Sequence, residues 1–112
     1  MSNAPQTTET DTAADRCREA MERTYLDIVA AYDKNEESEA ACKSRAVEAA
    51  ARAYRTAMPA LSSQENIRDF IACVAQGILL DVFAGADSSR LLYAAQVANS
   101  ATQGRASKSK AA

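Results

Sequence analysis

The sequence predicts an all-α protein, a small bundle of about four helices arranged as two helical hairpins. Alanine, which has the highest helix propensity, supplies 26 of the 112 residues, and only three glycines and two prolines interrupt the chain. Alternation of β-branched and aromatic residues, the pattern of a half-buried strand, occurs nowhere. We expect one helical domain over residues 11–103, a disordered leader at 1–10 and a disordered basic tail at 104–112.

The first helix is predicted to begin at Asp11 or Thr12, since either side chain can cap a helix. One apolar face then recurs at three- and four-residue steps: Cys17, Met21, Tyr25, Ile28 and Tyr32. The apolar period is lost after Tyr32, which predicts a turn near residues 33–36. The alternative is one unbroken helix from 11 to 58.

The second helix is predicted over residues 36–58, with Pro59 ending it. Acidic residues at its start and basic residues at its end suit the helix dipole. Its apolar stripe consists of Val47, Ala50, Tyr54 and Met58. Cys42, close to the start of this helix, is the cysteine we expect to be exposed.

The third helix is predicted over residues 63–84, with a capping box formed by Ser62 and Glu65 and a stop at Gly85. Cys73 and Gly77 leave a shallow groove that another helix could approach. The predicted core face of the helix is a set of large apolar residues: Ile67, Phe70, Ile71, Val74, Ile78 and Val82.

The fourth helix is predicted to begin near Asp87 and to end at about Thr102, where Gly104 stops it. Helices one and two offer few large apolar residues to cover helix three. This surplus of apolar surface predicts a homodimer or another protein partner. The surface expected to make that contact comprises Ala72, Leu79, Phe83, Leu92 and Tyr93.

Missing residue types exclude several kinds of chemistry. The chain has no histidine, and its three cysteines include no CxxC pair, so we expect no catalytic triad, no single-chain zinc site and no cofactor. The sequence shows no signal peptide, and its longest apolar run is too short to span a bilayer. We therefore expect a non-enzymatic, cytoplasmic protein that does not enter membranes.

Charge is unevenly distributed along the chain. Residues 1–40 carry 10 acids and 4 bases, whereas residues 41–60 carry 4 bases and 1 acid. The second helix therefore has a basic patch, consisting of Lys43, Arg45, Arg52 and Arg55. The patch could contact phosphates or an acidic partner. The alternative is a solvated face whose positive charges are balanced by Glu48 and the acidic first helix. This alternative is favoured because no aromatic residues are interleaved with the bases for base stacking.

Asp81 falls on the apolar face of the predicted third helix. A buried carboxylate there needs a partner, and Arg90 is the candidate across the turn. The alternative is that Asp81 reaches water, since charged side chains are rarely fully buried.

Two stretches, ENIRDFIACVA at 65–75 and LLYAAQVA at 91–98, resemble small uncharacterised helical proteins of bacterial mobile and phage-like elements. The resemblance covers about residues 54–100 and carries no catalytic motif. It implies accessory proteins that bind host or element machinery, including defence complexes.

Three functions follow as hypotheses. The first is a non-enzymatic protein–protein interaction module, an adaptor or inhibitor. The second is a nucleic-acid-binding accessory that uses the basic patch together with Arg105, Lys108 and Lys110. The third is a structural bundle that assembles with itself.

Overall fold

The structure, a computed structural model, describes residues 12–83 and 85–111, with side chains described as far as residue 103. This part of the chain contains four helices and no strand: α1 (Ala13–Ala30), α2 (Glu39–Thr56), α3 (Gln64–Leu79) and α4 (Gly85–Ala111). The chain divides between Met58 and Pro59 into two compact units, each a helical hairpin. The all-α prediction is confirmed. The predicted leader at 1–10 lies outside the described residues, and the single domain over 11–103 stays a prediction.

Side-chain caps and a tight turn define the first hairpin. Thr12 caps α1 with a complete capping box, in which its hydroxyl accepts from the Asp15 N–H at 3.1 Å and its own N–H donates to the Asp15 carboxylate. The predicted turn after Tyr32 is confirmed, because the N–H groups of Glu36 and Glu37 donate to the Asp33 carbonyl. Ser38 then caps α2, so that the helix begins at Glu39, three residues later than predicted.

Small side chains dominate the core of the first hairpin. Tyr54 is the one large residue among its buried positions, which are Ala13, Cys17, Cys42, Ala46, Ala50 and Tyr54. The four buried residues of α2 recur at every fourth position. The predicted apolar stripe shares only Ala50 and Tyr54 with them. Val47 was expected in the core and is instead more than half exposed. Small residues at these positions let two helix backbones approach closely, and the larger Val47 side chain lies off that contact.

The ends of α3 differ from the prediction. Its cap is Ser63, whose hydroxyl accepts from the Asn66 N–H at 3.2 Å, so the predicted box of Ser62 with Glu65 is wrong. At the other end, Asp81 adopts a φ of 58°. The N–H of the next residue, Val82, donates to the Gly77 carbonyl at 2.9 Å, which completes a Schellman motif. The helix therefore stops at Leu79, with Asp81 in the left-handed position that glycine usually takes.

Gly85 begins α4 instead of ending α3. The connecting segment folds back so that the ring of Phe83 lies against Gly77, where a Cβ would overlap the Phe83 Cε2 atom. The groove predicted at Cys73 and Gly77 exists, but this ring fills it. The core of the second hairpin is consequently Ile67, Phe70, Cys73, Val74, Gly77, Val82, Phe83 and Ala95.

The backbone of α4 continues helically to Ala111. The predicted end near Thr102, with a stop at Gly104, is therefore wrong. The Thr102 hydroxyl donates to the Ala98 carbonyl at 2.8 Å, a bond compatible with continued helix. Within the described residues, no helix combines the length and the apolarity needed to cross a membrane.

Candidate interaction surfaces

The predicted partner surface is exposed at four of its five residues. Ala72, Leu92 and Tyr93 are exposed, and Leu79 is 86% exposed beside the end of α3. Phe83 is the exception, because its ring is buried against Gly77. Assigning Phe83 to a partner surface was therefore wrong, since it is part of the hairpin's own core.

The structure adds an apolar ridge on α3, and the sequence analysis placed two of its residues, Ile71 and Ile78, in the core. Ile71, Ala75 and Ile78, spaced as i, i+4 and i+7, are all exposed. The buried face is rotated by roughly 50° from the predicted one, at 100° per residue, because it takes in Cys73 and Gly77 and leaves out Ile71 and Ile78. A signal was present in the sequence: these small residues leave room for packing, whereas a face of isoleucines alone does not.

The face of α4 that points away from its core is also apolar. Ala95 is fully buried, and the residues two positions before and after it, Tyr93 and Val97, are 68% and 50% exposed. A step of two residues turns a helix by about 200°, so both side chains lie opposite Ala95. Val97 was not singled out from the sequence, although its spacing from Tyr93 marks the same face.

The basic patch on α2 is partly neutralised within the first hairpin. The Arg45 guanidinium contacts the Glu37 carboxylate through two nitrogens, with Nη2–Oε2 at 2.6 Å and Nε–Oε1 at 3.4 Å. Lys43, Arg52 and Arg55 are exposed. The two-point contact holds the connecting segment against α2, and we call it the Glu37–Arg45 clasp. This clasp supports the interpretation of the basic patch as a solvated face balanced by nearby acids, because Glu37 is the ion-pair partner of Arg45.

Cys42 lies next to this clasp and is only 2% exposed, so the prediction of an exposed thiol is wrong. Its sulfur lies 3.8 Å from the Ile28 carbonyl, within reach of a weak hydrogen bond. Burial, followed by the nearby Glu37 carboxylate, raises the pKa of the Cys42 thiol above its ordinary value. The thiol is therefore protonated at neutral pH and is a poor nucleophile.

The structure resolves the two alternatives for Asp81 in favour of water. Asp81 and Arg90 are both exposed, so the predicted buried charge pair is wrong. The Schellman motif ends α3 ahead of Asp81, so that Asp81 does not lie on the apolar face of the helix as predicted. Arg90 instead lies 3.8 Å from Asp87, a distance at the outer limit of an ion pair.

No group of three or more metal-ligating side chains occurs in the part of the chain that the structure describes. The geometry offers a set of exposed apolar ridges on α3 and α4. The chain matches no family model, no curated protein and no solved structure. The resemblance to mobile-element proteins stays a prediction.

Proposed function

We propose that this chain is a small non-enzymatic module that binds another protein through the second hairpin, as an adaptor or inhibitor. The supporting observation is where apolar surface remains exposed. Ten large apolar side chains are exposed in the described residues, and seven of them lie between Ile71 and Val97. Among these residues, Ile71 and Ile78 are neighbours with Ala75 on one face of α3, and a contiguous exposed apolar patch marks a protein interaction site.

The α3 ridge of Ile71, Ala75 and Ile78, with Leu79 at its end, is the contact we assign to the partner. Side chains at i, i+4 and i+7 form one straight edge, which fits the groove of a helical partner. The small Ala75 side chain between two isoleucines leaves a notch for a partner side chain. The Glu37–Arg45 clasp argues against the basic patch as the main binding surface, because it engages one of its four charges.

The test is a capture experiment with matched variants. Leu79→Lys and Ile71→Lys each place a charge on the ridge, whereas Val47→Lys makes the same change at an exposed apolar position of the other hairpin. We expect the partner retained by the wild type and by Val47→Lys to be lost from both ridge variants, and nuclease treatment to change nothing. Equal retention by all four proteins would overturn the proposal. Loss on nuclease treatment would favour the nucleic-acid alternative instead.

A further inference from the structure

The C-terminal end of α3 holds Asp81 in a backbone conformation that is costly for a residue with a side chain. Its φ of 58° is the only positive value among the non-glycine residues that the structure describes. Left-handed backbone brings the Cβ atom close to a carbonyl oxygen, a contact that glycine avoids. Strain of this kind is found at switch regions and persists where surrounding contacts over-determine it. Asp81 therefore favours right-handed backbone unless other contacts oppose it.

The two residues after Asp81 supply the opposing contacts. The Val82 N–H donates to the Gly77 carbonyl at 2.9 Å, and the side chains of Val82 and Phe83 are both buried. The Phe83 ring lies against Gly77 and fills the groove there. Burial of two apolar side chains and one backbone hydrogen bond thus offset the strain at Asp81.

A right-handed Asp81 would let α3 continue, and the sequence suits that continuation. At 100° per residue, a helical Val82 falls within about 40° of each of the three residues of the α3 ridge, and so lengthens the ridge by one turn. A helical Phe83 falls about 40° from Leu79, beside the ridge. The apolar pattern of the exposed face therefore runs on through the residues that the Schellman motif folds back.

We propose that residues 80–83 form a switch between two states, and that a protein bound to the α3 ridge selects the extended one. In the closed state, which the structure shows, Phe83 fills the groove at Gly77. In the extended state Asp81 is right-handed and Val82 lengthens the ridge. A partner that covers Val82 favours this state, because only there does it gain that contact. The partner comes from the proposed function, whereas the two states are properties of the chain alone.

Substitutions at Asp81 drive the switch in opposite directions. Asp81→Gly removes the cost of left-handed backbone and weakens the helix, so it favours the closed state. Asp81→Ala keeps a Cβ and has the highest helix propensity, so it favours the extended state. Asp81→Asn loses the same charge but tolerates left-handed backbone, and should behave as the wild type does. Gly77→Ala favours the extended state by a separate route, since its Cβ overlaps the Phe83 ring.

Cys73 reports which state is populated, because it is fully buried one turn before Gly77 on the same face of α3. Departure of the Phe83 ring uncovers this part of the groove. Peptide-resolved alkylation of Cys73 is expected to be at least about tenfold faster in Asp81→Ala than in Asp81→Gly, with the wild type between them. Gly77→Ala should also accelerate it. Equal rates in the two Asp81 variants would overturn the switch.

Backbone chemical shifts of residues 80–83 separate extension from unfolding. They should become helical in Asp81→Ala, and shifts typical of an unfolded chain would overturn the extended state. For the protein captured by the wild type, the apparent affinity of Asp81→Ala should exceed that of Asp81→Gly by a similar factor, since the extended fraction sets it. Equal affinities would rule out selection by the partner. If the wild type captures no protein, the proposed function fails, whereas the Cys73 rates and the shifts still decide the two states.

Discussion

The two hairpins bury their apolar residues in opposite ways. The first buries mainly small side chains around one ring, Tyr54. The second region, residues 61–97, contains 13 of the chain's 17 Leu, Ile, Val and Phe residues, yet seven of the ten exposed large apolar residues in the described chain lie there. A pair of helices buries only one stripe on each member, so additional apolar residues have no place inside it. The number of large apolar residues in a segment therefore reflects its exposed apolar surface as well as its buried core.

The strongest test of this comparison is Tyr54→Ala. Tyr54 is fully buried and is the largest side chain in the core of the first hairpin. Its neighbours are short and cannot collapse into the space, so we expect the free energy of unfolding to fall by about 3 kcal/mol or more. Urea denaturation followed by circular dichroism measures the change.

Tyr32→Ala is the matched control, because Tyr32 belongs to the same hairpin and is exposed. Its cost should be well below that of Tyr54→Ala, on the order of 0.5 kcal/mol. Similar losses for the two tyrosines would show that the first hairpin does not depend on one buried ring.

A smaller effect is expected at Gly77, which packs against the ring of Phe83 in the second hairpin. In Gly77→Ala the new Cβ overlaps the ring of Phe83, with Phe83 Cδ2 only 3.0 Å away. Alanine gains helix propensity, but the buried ring must move, so we expect a net loss of about 1–2 kcal/mol in the free energy of unfolding.

Gly85→Ala makes the same chemical change in open space, since no atom lies within 4 Å of its Cβ position. It should be neutral or stabilising by up to about 1 kcal/mol. Removing the ring in a Phe83→Ala background should abolish the penalty of Gly77→Ala. A penalty that persists without the ring would rule out this packing as its cause.

Local signals predicted the helices well. The alanine content, the Thr12 cap and the loss of apolar period after Tyr32 gave the all-α class and the first turn. The end of α3 was missed, because Asp81 takes the left-handed position that the sequence offered to Gly85. A non-glycine Schellman residue has no clear signature in a single sequence, since its tertiary contacts stabilise the conformation.

The candidate surfaces were harder to predict because they depend on the rotation of α3 about its own axis. Leu79, Leu92 and Tyr93 were found from the surplus of apolar residues in the second half of the chain. Phe83 was predicted on the surface and lies in the core, whereas Ile71 was predicted in the core and is exposed. A count of large apolar residues places the isoleucines of α3 in the core. In the structure the buried face instead contains the small residues Cys73 and Gly77, and Gly77 leaves space for the ring of Phe83.

The smallest expected effect concerns the Glu37–Arg45 clasp of the first hairpin. The Arg45 guanidinium holds the pKa of Glu37 below its ordinary value of 4.5. A carboxylate whose folded-state pKa is lowered stabilises the protein above its unfolded-state pKa, and that contribution disappears as the pH falls through the folded-state value. Glu37→Gln should therefore be less stable than the wild type at neutral pH, and the difference should vanish in acid.

Urea midpoints of both proteins between about pH 3 and about pH 8 measure this difference. Glu48→Gln removes a carboxylate from α2 outside the clasp and serves as the control. Glu37→Gln should also lower the pKa of the Cys42 thiol, but only in part, because burial is the larger cause of its increase. Peptide-resolved alkylation would then show faster modification of Cys42, with Cys17 and Cys73 unchanged as internal references. If Cys42 reacts equally fast in both proteins, the clasp does not control the environment of this thiol, and burial alone keeps it protonated.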